Sequence, residues 1–286
     1  MSTAFPAELM EQLLDDLRQS DRDRYLCLLL MPERSRGFLA GLFAFNSELA
    51  QIRERVSDPA AGEVRLAWWS RVIDAIYVGE TVESPLAQAL ARAIEAGDLP
   101  RHSFQAMLEA RRFDLFDDPM PDLNTLEGYL GETSSAILQM SALIMAGDDG
   151  LECAEVSGLA GVAMGLTGLM RSLPVHRARG QCMLPADMLA KHDLTQAHVL
   201  SDKGGAGLEL VLLQLCRHAN KRLEEARAKW HLVPDGAVRA YLPVALVPGY
   251  LKKLERSRAS LMRKVVTSPQ WIRQLRLLNA VRSEAI

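Results

Sequence analysis

Hydrophobic residues recur every three or four positions along most of the chain, as Leu9, Leu13 and Leu17 do near its start. Strict alternation of apolar and polar residues, which is typical of a half-buried strand, is almost absent. The spacing therefore predicts an all-α protein with residues 174–203 mostly in loops. We expect helices over 7–19, 33–55, 62–79, 85–97, 101–116, 123–147, 151–172, 204–230, 236–264 and 269–283.

Two Ser-Pro pairs mark predicted helix starts. Ser84-Pro85 and Ser268-Pro269 each place a capping hydroxyl before a proline, which needs no hydrogen-bond partner at the first helical position. The chain contains neither a repeat of solenoid period nor a low-complexity tract. The sequence thus predicts one helical bundle and a single domain over residues 1–286.

Glycine recurs inside one predicted helix, between residues 158 and 168. A glycine in a helix interior costs about 1 kcal/mol relative to alanine, so we expect a compensating contact. Two explanations remain open. Another helix packs closely against the small residues, or a ligand approaches the backbone there.

Composition narrows the class of protein. The 286 residues are 49% hydrophobic, with a formal net charge of -3 and a pI near 6.1, so we expect a soluble protein and no nucleic-acid partner. Four widely spaced cysteines predict reduced, mostly buried thiols, and the acidic N-terminal segment lacks the features of a secretory signal. The apolar stretch 156–170 is shorter than the roughly 20 residues of a membrane span. We therefore expect a cytoplasmic protein.

The C-terminal part is basic and amphipathic. Such a segment suits an anionic membrane surface, and a peripheral position on the inner face of the membrane is one hypothesis. A solvated charged face over a packed apolar face is the alternative. The basic residues Lys252, Lys253, Arg256, Arg258, Arg263 and Lys264 precede a predicted helix at about 269–283 that carries Trp271, Ile272, Arg273, Leu275, Arg276, Leu277, Leu278 and Arg282.

Several ordered segments resemble the squalene/phytoene synthase family. Residues 25–32 read Tyr-Leu-Cys-Leu-Leu-Leu-Met-Pro, residues 42–48 read Leu-Phe-Ala-Phe-Asn-Ser-Glu, and residues 165–171 read Gly-Leu-Thr-Gly-Leu-Met-Arg. Residues 62–69, 113–115 and 183–187 and the helix around Tyr129 also fit, so the resemblance covers about 20–260. It implies the isoprenoid synthase fold, a single helical bundle around a central cavity.

The resemblance also implies a loss of chemistry. In active members of the family, aspartates four residues apart on two helices bind the magnesium ions that neutralise a prenyl diphosphate. The corresponding positions hold Ala50 and Glu54 in the first motif and Ser172 and His176 in the second, and we expect Pro174 to interrupt the second helix. We therefore expect no metal site, no cofactor and no catalytic residue. Mg²⁺, with Glu54 as the catalytic carboxylate, belongs only to the alternative of an active enzyme.

Arginines near the family's diphosphate end remain candidates for anion binding, because the guanidinium group presents a fixed fork of donors to phosphate. Solvation or pairing with protein carboxylates is the alternative, and His176 is open to a purely structural role. The candidate ligand- or diphosphate-binding residues are Tyr25, Arg36, Glu54, Arg65, Arg171, His176 and Arg179.

Residues 171–176, Arg-Ser-Leu-Pro-Val-His, resemble a divergent branch of the family that includes the mitochondrial complex I assembly factor. The first hypothesis is a pseudoenzyme that binds an isoprenoid or lipid, or acts in respiratory-complex assembly with a respiratory-complex protein as partner. The alternative is an active prenyl transferase of isoprenoid (squalene/phytoene) biosynthesis with an altered diphosphate site. A third hypothesis is a helical scaffold with a collapsed cavity, recognised by large side chains beside Gly161 and Gly165.

Overall fold

The computed structural model describes residues 5–201, 203–257 and 261–286, and contains no strand within these residues. The helices are α1 (Ala7–Ser20), α2 (Arg22–Leu28), α3 (Glu33–Ala50), α4 (Ile52–Arg55), α5 (Pro59–Tyr77), α6 (Pro85–Gly97), α7 (Arg101–Arg112), α8 (Leu123–Leu130), α9 (Ala136–Ala146), α10 (Ala154–Arg171), α11 (Leu173–Ala178), α12 (Ala186–Ala190), α13 (Gln196–Leu200), α14 (Gly205–Ala228), α15 (Val247–Arg256) and α16 (Gln270–Ser283). A π-helical turn, Gly131–Ser135, joins α8 to α9.

The long periodic segments of the sequence form helices close to the predicted positions, but several predictions need correction. Helix α2 was not predicted; Asp21 starts it, because its carboxylate accepts the Arg24 backbone N–H at 3.0 Å. The predicted helix 33–55 breaks at Gln51 into α3 and α4. Residues 174–203, predicted mostly as loop, contain α11, α12 and α13.

The predicted helix 236–264 was wrong as a continuous element. Two 3-10 turns, Val238–Tyr241 and Val244–Leu246, precede α15, and residues 261–264 form turns. Pro243 and Pro248 are the physical reason, because proline cannot donate the backbone hydrogen bond that a helix interior requires. Residues 258–260, which also fall in the predicted helix, lie outside the described residues.

The two Ser-Pro pairs start helices without the predicted side-chain caps. Helix α6 begins at Pro85, yet Ser84 makes no capping hydrogen bond. Helix α16 begins one residue after Pro269, and the buried Ser268 hydroxyl has no hydrogen-bond partner within the described residues. Proline therefore sets these starts through its fixed backbone angle rather than through a neighbouring hydroxyl.

Two buried layers hold the bundle together. Helix α10 packs most extensively on α14, and α3 packs on α6 and α1. In the α3 layer, the Phe45 ring meets the Trp69 ring edge to face at 4.9 Å between centroids, and the Phe104 ring at 5.7 Å. Such aromatic contacts add to the burial of large apolar surfaces and fix α3 against α5 and α7.

The glycine-rich face of α10 packs closely against the π-helical turn. A Cβ atom on Gly161 would lie 2.3 Å from the Ser135 Cα, and one on Gly165 would lie 2.5 Å from a Leu130 methyl. At Gly158 and Gly168, a Cβ would meet nothing within 4 Å. The middle of this face therefore serves close packing, one of the two explanations left open by the sequence, while its ends are open.

The helical region from α8 to α10 is strongly apolar. The helical stretch 123–171 contains a window long and apolar enough to cross a bilayer, but 56% of that window is buried inside the protein. A core helix of a soluble protein has the same composition.

Candidate functional site

The two segments that replace the family's aspartate motifs meet at one end of the bundle. Helix α3 ends at the exposed Ala50, and the short α4, anchored by the buried Ile52, carries Glu54. Helix α10 ends at Arg171, and Pro174 lies in the first turn of α11, which carries His176. The predicted interruption at Pro174 is confirmed, because α10 ends at Arg171 and the separate helix α11 begins at Leu173.

An ion pair joins the two segments. The Arg179 Nη2 lies 2.6 Å from the Glu54 Oε1, with the two side chains 30% and 41% exposed. A pair this exposed contributes little to stability, on the order of 0–1 kcal/mol. Its importance is chemical, because the one carboxylate that survives in the motif positions already has a cation beside it.

His176 lies behind this pair in a half-buried position. Its Nδ1 is buried and has no hydrogen-bond partner within the described residues. Burial lowers the pKa of His176; Asp114 and Glu54 oppose this shift, while Arg179 adds to it. The ring is therefore neutral at pH 7, where it neither adds a positive charge for an anion nor offers an oxygen to a metal.

A buried polar network supports the site from below. The Tyr129 hydroxyl donates to Asp114 at 2.8 Å, and the Arg111 guanidinium donates to Asp114 and Tyr129 at 2.9 Å each. Gln181 Nε2 donates to the Asp114 backbone carbonyl at 2.7 Å, which links the loop after α11 to this network. Burial raises the pKa of Tyr129, so the phenol stays protonated. The Asp114 carboxylate is thus paired with Arg111, as the Glu54 carboxylate is paired with Arg179.

The sequence reasoning noted residues 113–115 and Tyr129 as matching segments but did not place them in the site. Arg111 and Gln181 were missed altogether. A signal existed for Arg111, because it lies three residues before Asp114 on the same helical face, the spacing at which opposite charges pair.

Arg65 belongs to a different cluster. Its guanidinium donates to Glu48 Oε1 at 2.6 Å and lies 4.8 Å from the centre of the Trp68 ring. Arg55 pairs with the other oxygen of Glu48 and donates to Gln51. Two cations thus surround one nearly buried carboxylate between α3, α4 and α5.

Arg171 belongs to a third cluster. It donates to Asp23 at 3.2 Å and to the Val266 carbonyl at 3.0 Å, and its guanidinium lies 3.6 Å from the centre of the Tyr250 ring. Asp23 also accepts from Arg273 at 2.7 Å and from the Tyr250 hydroxyl at 2.9 Å. Burial raises the pKa of Tyr250 to about 12. This cluster attaches α16 to α2, α10 and α15.

The two remaining candidates lie apart from Glu54. Arg36 donates to the Met31 carbonyl at 3.0 Å, near the start of α3, whereas Glu54 follows the end of that helix. The helix rises about 21 Å from Arg36 to Ala50, so Arg36 and Glu54 lie at opposite ends of α3. Tyr25 is half-buried on α2 and packs against the core. Of the seven predicted candidates, the structure brings together Glu54, His176 and Arg179.

The donor set at the motif positions does not fit magnesium. Mg²⁺ requires oxygen ligands in near-octahedral geometry. Ala50 offers no donor, Ser172 offers a neutral hydroxyl, and Glu54 is paired with Arg179. No group of three or more His, Cys, Asp or Glu residues in the described ranges is placed to hold a metal ion.

Comparison with known proteins gives three results. A family model described as squalene/phytoene synthase matches residues 17–272. NADH dehydrogenase (ubiquinone) complex I, assembly factor 6 from Bos taurus is 30% identical over 243 residues, which make up 85% of this chain and 73% of the relative. The phytoene synthase of Thermus thermophilus is 27% identical over 272 residues, or 94% of this chain and 91% of the relative.

Among solved structures, a dehydrosqualene synthase in complex with a ligand superposes on the chain with a TM-score of 0.82. The two sequences are 17% identical, and the superposition covers 96% of each chain. At this identity the likeness concerns the fold alone. The predicted all-α isoprenoid synthase fold is confirmed.

Proposed function

Because the chain belongs to the squalene/phytoene synthase family, we propose that it is a member that has lost magnesium-dependent condensation of prenyl diphosphates. The donor set at the meeting point of the two motif segments carries this proposal. Ala50 and Ser172 supply no carboxylate, and Glu54 lies against the Arg179 guanidinium. Departure of a diphosphate needs metal ions or equivalent cations to neutralise the developing charge, and this arrangement lacks the ligands for them.

The remaining bundle then acts in binding and assembly. The 30% identity to a protein named as a complex I assembly factor supports a role in respiratory-complex assembly, with a respiratory-complex protein as partner. An isoprenoid or another lipid is the proposed ligand. The buried free cysteines, Cys27, Cys153, Cys182 and Cys216, are consistent with action in the cytoplasm, on the inner face of the membrane.

Pyrophosphate release from farnesyl and geranylgeranyl diphosphate, with and without Mg²⁺, tests the loss of catalysis. The purified chain should release none in either condition, while the phytoene synthase of Thermus thermophilus serves as the positive control. Magnesium-dependent release by the unaltered chain at a rate near that of the control contradicts the proposal.

A variant that regains carboxylates tests whether the residues at the motif positions cause the loss of magnesium binding. Changing Ala50, Ser172 and His176 to aspartate restores three carboxylates, and Arg179→Gln frees Glu54. This variant should bind Mn²⁺, used as a magnetic probe for the magnesium site, whereas the unaltered chain should not. The matched control keeps the three new aspartates and retains Arg179, and we expect it to bind the ion more weakly.

An active prenyl transferase with an altered diphosphate site is the second candidate. The similarity to a phytoene synthase over nearly the whole chain favours it, and Glu54 is 41% exposed and therefore accessible to a substrate. On this hypothesis Glu54→Gln abolishes turnover while the free energy of unfolding falls by less than about 1 kcal/mol. Glu63→Gln is the matched control, because Glu63 also forms a surface pair, with Arg112 at 3.0 Å.

Genetic complementation separates the two candidates in the cell. Deletion of the gene should lower NADH:quinone oxidoreductase activity of isolated membranes, and the unaltered gene should restore it. Under the proposed function, the gene carrying Glu54→Gln restores this activity equally well. Failure of that variant alone, with normal protein abundance, favours the enzyme.

A further inference from the structure

Helix α16 presents two apolar faces, and only one of them is packed. Leu277 and Ala280 are buried against the bundle. Trp271, Leu275 and Leu278 are 62%, 58% and 43% exposed. Their spacing of four and three residues places them on one side of the helix, so they form a continuous exposed apolar stripe. We call Trp271, Leu275 and Leu278 the α16 stripe.

Charge is distributed very unevenly along the chain. Residues 247–286 contain nine lysines and arginines and two acidic residues, whereas residues 1–246 contain 24 basic and 34 acidic residues. One of the nine, Arg258, lies outside the described residues. The exposed basic residues of this part are Lys252, Arg256, Arg263, Lys264 and Arg282. The apolar stripe therefore lies in a strongly basic part of an otherwise acidic protein.

A groove with unpaired cations runs beside the α16 stripe. It lies between α15 and α16, has a volume of about 550 Å³, and is lined by Lys252, Leu275 and Arg276 among others. Lys252 and Arg276 form no ion pair within the described residues. The Arg276 guanidinium lies directly over Gly249, where a Cβ would be 0.9 Å from its Nη1. Only glycine leaves the guanidinium in this position.

The bundle fixes the orientation of α16. Arg273, on the side of α16 that faces the bundle, pairs with Asp23 at 2.7 Å. At the start of the helix, Arg22 donates to Gln270 at 2.5 Å. These contacts with α2 fix α16 on the bundle, so the α16 stripe is exposed while the helix is attached.

We propose that the α16 stripe and the adjoining groove form a docking surface for a bilayer with anionic headgroups. Trp271, Leu275 and Leu278 enter the boundary between headgroups and acyl chains, while Lys252 and Arg276 contact headgroup phosphates. Tryptophan is suited to this boundary, and basic residues near an anionic surface each strengthen binding by about fivefold. The remainder of the protein, which is acidic, faces away from the membrane.

The charge distribution favours a bilayer over a second copy of this chain. Two copies joined symmetrically through their α16 stripes would place two basic surfaces against each other, which is unfavourable. An anionic bilayer supplies both of the required features, a layer of phosphates and apolar depth below it. The proposal rests on the membrane location in the proposed function and deepens it, because it assigns that location to a surface that includes none of Glu54, His176 and Arg179.

Vesicle co-sedimentation of the full chain tests the proposal. The probes are vesicles of phosphatidylcholine alone and of phosphatidylcholine mixed with phosphatidylglycerol, each at low and high salt. We expect binding to the anionic vesicles to exceed binding to the neutral ones by about tenfold or more, and to weaken at high salt. Equal binding to both vesicle types, or no binding to the anionic ones, overturns the proposal.

Paired variants locate the surface. Trp271→Ser with Leu275→Gln should reduce binding to anionic vesicles by about tenfold or more. Leu151→Gln is the matched control, because Leu151 is also 62% exposed but lies on the turn Gly147–Cys153. The double variant Lys252→Gln/Arg282→Gln should weaken binding to anionic vesicles and reduce the salt dependence of that binding. Its control, Arg18→Gln/Arg71→Gln, also removes two exposed positive charges and should have neither effect. Equal effects of a test variant and its control overturn the proposal.

Two further measurements test whether the docking surface instead binds a second copy of the chain or free phosphate. Light scattering after size exclusion should give the same mass for the unaltered chain and the Trp271→Ser/Leu275→Gln variant; a dimer that this variant dissolves overturns the proposal in favour of a second copy. Inorganic phosphate at moderate concentration should not displace the protein from vesicles beyond the effect of equal ionic strength. Vesicle binding is independent of pyrophosphate release, so failure here leaves the proposed loss of catalysis intact, and failure of that proposal leaves the docking surface intact.

Discussion

Replacing Gly161 by alanine should destabilise the protein although alanine is the better helix former. The new Cβ would lie 2.3 Å from both the Ser135 Cα and its Oγ, and 2.6 Å from its backbone nitrogen. The obstacle is mainly backbone, so a change of rotamer cannot relieve it, and α10 must move away from the π-helical turn. Overpacking of this kind costs up to about 3 kcal/mol, and the helix propensity of alanine offsets about 1 kcal/mol. We expect a net loss of about 2 kcal/mol.

Gly158→Ala on the same helix is the matched control. A Cβ at Gly158 meets nothing within 4 Å, so alanine there should stabilise the protein by about 1 kcal/mol through helix propensity alone. Urea unfolding followed by circular dichroism gives both free energies, which should differ by about 3 kcal/mol. Equal stabilisation by the two variants would refute the reasoning, since it would mean that Gly161 does not serve close packing against Ser135.

Two other predictions concern the charged clusters. Asp23→Asn removes the ion pairs with Arg171 and Arg273 but keeps an acceptor for the Tyr250 hydroxyl. It should lower the free energy of unfolding by about 2 kcal/mol in urea melts, and an unchanged free energy would contradict the stabilising role of the two ion pairs. Burial lowers the pKa of His176 below its ordinary value, so its neutral ring contributes stability that is fully present above about pH 6.5 and is lost as the pH falls below that value. His176→Gln should therefore make the free energy of unfolding less dependent on pH when it is measured above and below about pH 6.5. An unchanged pH dependence would contradict the buried, neutral state of His176.

Helical periodicity was sufficient to predict the long helices, because an amphipathic pattern repeats over several turns in α1, α3, α6, α10, α14 and α16. It failed where the pattern is short or misleading. Helix α2 has seven residues, and only the cap at Asp21 indicated it. The segment before α15 is apolar at helical spacing, but Pro243 and Pro248 remove donors that a continuous helix would need. In both places, proline and capping residues determine the local structure that the hydrophobic period does not indicate.

The candidate site was predictable only in part, for a physical reason. Alignment with the family's motifs identified Glu54, His176 and Arg179 as candidates, and the structure shows that Arg179 pairs with Glu54. The other arginines are engaged by partners that sequence spacing cannot reveal. Arg171 donates to Asp23, 148 residues away, and Arg65 donates to Glu48 across two helices. Opposite charges are abundant along the chain, so local sequence does not indicate which carboxylate each arginine meets.

On the proposed function, the Glu54–Arg179 pair affects the charge balance at one end of the bundle. In magnesium-dependent relatives, carboxylates on two helices share cations with the substrate, so the charge balance at that end of the bundle depends on what is bound. Here the guanidinium belongs to the chain itself, and Glu54 has a cation whether or not a ligand is present. On the proposed function, the charges at this end of the bundle stay paired without substrate, and the network of Arg111, Asp114 and Tyr129 remains satisfied. A constant surface of this kind serves assembly of a protein complex better than a site that opens and closes with each turnover.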